Sequence, residues 1–163
     1  KMKKLILIST LVLTAILPFS CSSTKNVSSP TSTINFTEIK SGENSDYTEF
    51  TTVEIRSFKE LTAVWVRLFS KYDRKPPLPN IDYENNMLIA VILGERNNGG
   101  YSIKTKSILE TKKNISITTE EEKPGNTCLT TSVMTYPFQL IEMPKTDKEI
   151  TFTKTVKVNE CGK

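Results

Sequence analysis

The chain contains no histidine. That one absence removes Ser-His-Asp and Cys-His nucleophiles, imidazole metal sites and imidazole proton relays, and most familiar hydrolase chemistry goes with them. Glycine is scarce, with 6 residues in 163, and none falls in a GxGxxG or GxxxxGK spacing. No phosphate-cradling loop and no cofactor are expected. The 3 cysteines include no CxxC pair, and without histidine they cannot complete a zinc shell, so no metal site is expected either. A surplus of positive charge is also missing. Of the 22 Lys and Arg side chains, Lys1, Lys3 and Lys4 precede an apolar run; without them 19 basic groups face 18 acidic ones. Nucleic acid is therefore not an expected partner. A hydrolase working with carboxylates alone would need a convergent pair such as Asp82 and Glu95, which one sequence cannot bring together.

What is present begins with an export signal. Behind the three lysines, Leu5 to Phe19 is apolar and too short for a permanent membrane span, and Ser20 is a small residue before Cys21. The segment Leu17-Pro18-Phe19-Ser20-Cys21 resembles a bacterial lipobox with relaxed spacing, which implies acylation of Cys21 and attachment to a membrane through it. Ser22 is not Asp, and by resemblance to Gram-negative sorting patterns this favours the outer membrane, facing the periplasm. The expected layout is a signal peptide over 1–20, a flexible Ser/Thr/Asn-rich tether over 21–45 and a single folded domain over 46–163.

Acylation of Cys21 leaves Cys128 and Cys161 in an exported, oxidising compartment, where they are expected to form a disulfide. Free buried thiols are the competing reading.

Within the domain, residues 47–56 are rich in β-branched and aromatic side chains and read as a strand. Ser57 and Glu60 have capping-box spacing, and Leu61, Val64, Trp65, Leu68 and Phe69 then form one apolar helical stripe, so Trp65 reads as core. Pro76, Pro77 and Pro79 mark a stiff connector. Met87 to Leu93 is a continuous apolar run, expected to be a central strand buried on both faces. Asn97, Asn98, Gly99 and Gly100 tolerate positive φ and allow a sharp turn into a strand at Tyr101. Residues 101–110 and 114–122 form a hairpin, and Glu120, Glu121 and Glu122 read as its solvated end. A turn at Lys123 to Asn126 leads into a segment where Leu129, Val133, Phe138, Leu140 and Ile141 are apolar and Pro137 demands an edge position or a bulge. Residues 149–158 alternate as a half-buried strand through Ile150, Phe152, Val156 and Val158. The fold class is α+β, mainly antiparallel β, a sandwich or partial barrel with one amphipathic helix near the start of the domain.

Several of these pieces carry a family resemblance. They are the helix with Trp65, Leu78-Pro79 with Ile81-Asp82-Tyr83, Leu88 to Val91, Gly94 with Arg96, Gly99-Gly100-Tyr101-Ser102-Ile103, Pro124 to Cys128, and Tyr136-Pro137-Phe138-Gln139-Leu140 to Pro144-Lys145. Together, over roughly residues 55–160, they resemble the C-terminal domain of the protease complex subunit PrcB family. The chain departs at Asn97-Asn98, where the family tends to Pro-Thr, and at Gln139, where histidine is common. The resemblance implies a non-catalytic lipoprotein that assists a cell-surface protease complex.

The expected function is thus a lipid-anchored accessory or binding subunit for another envelope protein, such as a protease. The alternative is a protease inhibitor or small-ligand binding lipoprotein. In either case the expected contact residues are Arg96, Asn97, Asn98, Gly99, Gly100 and Tyr101 on one turn and Tyr136 and Phe138 on another segment. Aromatic side chains beside glycine or proline can remain exposed and serve as low-entropy anchors.

Overall fold

The computed structural model describes residues 31–162. The signal segment and Cys21 lie outside the described residues. The elements are β1 (Ser32–Thr33), β2 (Thr37–Gly42), β3 (Thr51–Ile55), α1 (Phe58–Leu68), β4 (Asn86–Ile92), β5 (Ser102–Glu110), β6 (Asn114–Pro124), β7 (Phe138–Pro144) and β8 (Glu149–Asn159). They form two four-stranded sheets, ordered β1-β5-β6-β8 and β2-β7-β4-β3. Every pairing is antiparallel except β6 with β8. That exception follows from topology: between β6 and β8 the chain visits the other sheet as β7, so β8 returns in the direction of β6.

The continuous apolar run of β4 has the expected place. Alternate side chains of a strand point to opposite faces. Leu88, Ala90 and Ile92 pack with α1, while Met87, Ile89 and Val91 enter the layer between the sheets. Strand β7 divides likewise, sending Phe138 and Leu140 toward the helix and Ile141 and Met143 between the sheets. The fold is therefore a two-sheet sandwich with α1 on the outer face of the second sheet.

Helix α1 starts where its capping signals lie. The Ser57 hydroxyl accepts from the Glu60 amide at 3.3 Å, and the Glu60 carboxylate accepts from the Arg56 amide at 2.6 Å, one residue earlier than in the usual reciprocal box. The stripe from Leu61 to Phe69 is buried. Trp65 and Phe69 have ring centroids 4.5 Å apart, and Phe69 meets Phe138 edge-on at 5.3 Å. Burial of each large side chain contributes about 1.5–3 kcal/mol. The proline connector closes over the helix, with the Trp65 indole donating to the Pro76 carbonyl at 3.0 Å.

Four expectations need correction. The tether does not extend to residue 45, because β1 and β2 are paired strands and Ile34, Phe36 and Ile39 pack on the two core clusters. Pro137 imposes no edge, since it precedes β7, an interior strand; its ring needs no ladder hydrogen there and its carbonyl accepts from Leu93 N at 2.8 Å. Val156 and Val158 are exposed, so only Ile150 and Phe152 tie β8 to the core. The three acids at 120–122 are not a solvated end: Glu120 pairs with Lys106, Glu122 with Lys104, and Glu121 turns inward.

Candidate functional site

The chain leaves β4 through Gly94, whose φ is +81° and where an added Cβ would lie 2.7 Å from the backbone of Thr48 and Glu49. Only glycine fits there. The following loop does not stand alone. Arg96 and Thr135 exchange both backbone hydrogen bonds, at 2.8 and 2.9 Å, Gly99 N–H donates to the Thr131 carbonyl at 3.0 Å, and the Thr135 hydroxyl donates to the Asn98 carbonyl at 2.9 Å. Loop 94–101 and loop 125–137, distant in sequence, are thereby zipped into one edge. Of Asn97, Asn98, Gly99 and Gly100, only Gly100 adopts a positive φ, +89°; at Gly99 a Cβ would crowd only the Thr131 hydroxyl, an exposed side-chain group that can turn aside.

Loop 125–137 is anchored at its base. Cys128 and Cys161 are joined, with Sγ–Sγ 1.99 Å and Cα–Cα 4.8 Å. Gly125 N–H donates to Asn159 O at 2.9 Å and the Thr127 hydroxyl to Cys161 O at 2.8 Å. The expected pairing of the two cysteines is present, and it fastens this loop to the end of β8.

Loop 94–101 is held from beneath by a buried acid. Arg96 Nε lies 3.0 Å from Glu121 Oε1, and Lys154 Nζ lies 2.8 Å from Glu121 Oε2. Burial pushes the Glu121 carboxyl up, but the hydrogen bonds and charges of Arg96 and Lys154 together outweigh it and hold it below the ordinary carboxylate value. Glu121 is therefore a charged post on which Arg96 is fixed.

The structure assembles the expected contact residues but reassigns several. Phe138 is 1% exposed, a core residue facing α1, and cannot anchor a partner. Its position after Pro137 does not expose it, because β7 is interior. Tyr101 is half-buried against the layer between the sheets, with the Arg96 guanidinium 5.7 Å from its ring centroid. Tyr136 is half-buried too: Lys71 Nζ sits 3.1 Å from its ring centroid and its hydroxyl donates to Glu95 at 3.0 Å. That hydrogen bond first, then partial burial and the Glu95 charge, raises the phenol above its ordinary value. Asp82 and Glu95 flank β4 at opposite ends, so seven strand residues, about 23 Å, separate them. No carboxylate pair for hydrolysis forms there.

Apolar side chains that do face solvent on this edge are Leu129, 104% exposed, with Val133 at 60% and Met134 at 48%. They were legible as apolar but not as exposed. Leu129 and Val133 stand four apart, a spacing that both the helical and the strand period allow, so the pattern alone carried no signal of their exposure.

A second feature lies at the open end of the sandwich. Strand β5 slips its register between Thr105 and Ser107, and the Thr105 N–H, buried there, is taken by Gln139 Oε1 from the opposite sheet at 2.6 Å. Gln139 Nε2 donates onward to Glu38 at 2.5 Å, beside the irregularity of β2 between Glu38 and Lys40. The adjoining cleft, walled by Glu38, Ser41, Lys104 and Phe138, encloses about 200 Å³. That is smaller than the roughly 300–1,000 Å³ usual for small-molecule sites. Among the described residues no group of three or more His, Cys, Asp and Glu is placed to hold a metal ion, and no helix is long and apolar enough to cross a membrane.

This paired-loop edge falls within the stretch that comparison with known families identifies. Residues 87–144 match the family model PrcB C-terminal. The PrcB C-terminal match runs from β4 through β5 and β6 to the end of β7 and includes both loops. It supports the family resemblance read from the sequence over a narrower span, without α1 or β8. No curated protein and no solved structure matches the chain.

Proposed function

We propose that this chain is a non-catalytic accessory subunit of the cell envelope, anchored through acylated Cys21, that docks another envelope protein by the edge of loops 94–101 and 125–137. The carrying observation is the exposure of Leu129, Val133 and Met134 on a loop that a disulfide and six backbone or hydroxyl hydrogen bonds hold in place. Exposed apolar side chains on a preorganised loop lose little entropy on binding, which is what an interface anchor requires. The PrcB C-terminal match over both loops favours a protease complex as the partner. The outer membrane, on its periplasmic face, is the proposed location.

Capture of the full-length chain from crosslinked envelopes, with mass-spectrometric identification, tests this reading. A protease or a protein bound to one should be enriched over a control lipoprotein. Recovery of the same proteins by both baits would refute it.

Full exposure of Leu129, directly after the disulfide-bonded Cys128, favours one further reading, in which the braced loop enters the cleft of a protease with an apolar primary pocket and blocks it. Inhibition of the captured protease, lost on Leu129→Ser, distinguishes blocking from mere attachment.

A further inference from the structure

The two sheets end in four strands, and among the described residues three of those ends are blunted. β1 has two residues, β3 has five, and β2 is irregular between Glu38 and Lys40. β8 is different. It has 11 residues and an unbroken register against β6 from Glu149 to Asn159, without proline or glycine. A long straight edge presents a row of backbone donors and acceptors to any strand that can lie beside it. Inward-pointing charges ordinarily guard such edges, but here the inward Lys154 is already bound by Glu121 at 2.8 Å.

We infer that the β8 edge receives β8 of a second copy of this chain, antiparallel, about a two-fold axis through Thr153. An isologous contact must be self-complementary, and β8 is so in this register. On the outer row Glu149 faces Lys157 and Thr151 faces Thr155, each twice, with Thr153 against itself. On the inner row Ile150 covers Val156, which is 58% exposed in the single chain, and Phe152 lies opposite Lys154. Neighbouring registers are poorer. Centring on Lys154 sets two ammonium groups face to face, and centring on Phe152 pairs Lys157 only with Asp147, outside the strand. The result is one continuous eight-stranded sheet across two copies.

The test uses full-length chain in its membrane. In the two-fold register Thr153 of each copy is its own neighbour, at about 4.5–5.5 Å between Cα atoms, within disulfide range. Thr151 lies four residues out of step with its counterpart, about 13 Å away. Thr153→Cys should therefore give a reductant-sensitive dimer on mild oxidation, above the level of the unaltered chain, and Thr151→Cys should not. Lys157→Glu in the Thr153→Cys background should lower crosslinking about tenfold by opposing Glu149, and adding Glu149→Lys should restore it. Absence of a Thr153→Cys dimer, equal crosslinking at Thr151, or failure of the charge swap to restore it overturns the proposal. Should the cysteine variants fail to accumulate, sedimentation of the unaltered chain in detergent decides, with a monomer counting against it.

Discussion

Gly99 donates its backbone N–H to the Thr131 carbonyl at 3.0 Å, and with the Arg96–Thr135 pair this bond makes two distant loops a single surface. An added Cβ at Gly99 would crowd only the Thr131 hydroxyl, the end of an exposed side chain that can rotate aside, so the joining of the loops rests on these backbone hydrogen bonds and not on the missing Cβ.

The disulfide closes the segment between Cys128 and Cys161, a sequence separation of 33. Chain-entropy reasoning gives such a closure about 3–4 kcal/mol. Cys128→Ser with Cys161→Ser should lower the denaturation midpoint accordingly, and thiol counting on the unreduced, denatured protein should find neither residue free.

Glu121 gives stability a dependence on acid. Its folded value is held below the unfolded one, so its contribution is fully present above about pH 4.5 and is lost as pH falls through the folded value. Glu121→Gln should flatten that part of the stability profile and, by leaving Arg96 and Lys154 without their acceptor, cost about 1–3 kcal/mol at pH 7. Chemical denaturation at pH 7 and below pH 4 compares the two proteins; an unchanged acid slope would remove Glu121 from this role.

Gln139 joins the two sheets by accepting from Thr105 N–H and donating to Glu38. Gln139→Leu fills similar volume but strands the buried amide. A loss of about 1–3 kcal/mol is expected, measured by denaturant midpoint.

Most of the architecture was legible because it rests on period and punctuation. The helix was written in Ser57, Glu60 and the stripe from Leu61 to Phe69, and the central strand in the unbroken apolar run of β4. The polar strands before residue 45 were hidden because β1 and β2 hold their places through backbone pairing and only a few apolar anchors, Ile34, Phe36 and Ile39. The candidate site was half legible. Its glycine turn and cysteine pair could be read locally, whereas the depth of Phe138 and the exposure of Leu129 depend on which strand is interior, a property of the sheet order. The inward turn of Glu121 depends likewise on Arg96 and Lys154 arriving from other segments.

That reversal between Phe138 and Leu129 supplies a sharp contrast. Phe138→Ala should cost about 3–5 kcal/mol by opening a cavity beneath α1. Leu129→Ser should change stability by no more than about 0.5 kcal/mol. Thermal or denaturant unfolding of the two variants reads the difference.

The docking account is tested most directly by quantifying envelope partners crosslinked to the full-length chain carrying Leu129→Ser and Met134→Ser, beside the unaltered chain. The expected result is at least a roughly tenfold fall in partner recovery with an unchanged melting temperature, since interface anchors of this kind each contribute more than about 1 kcal/mol. Undiminished recovery from a folded double variant would contradict the account.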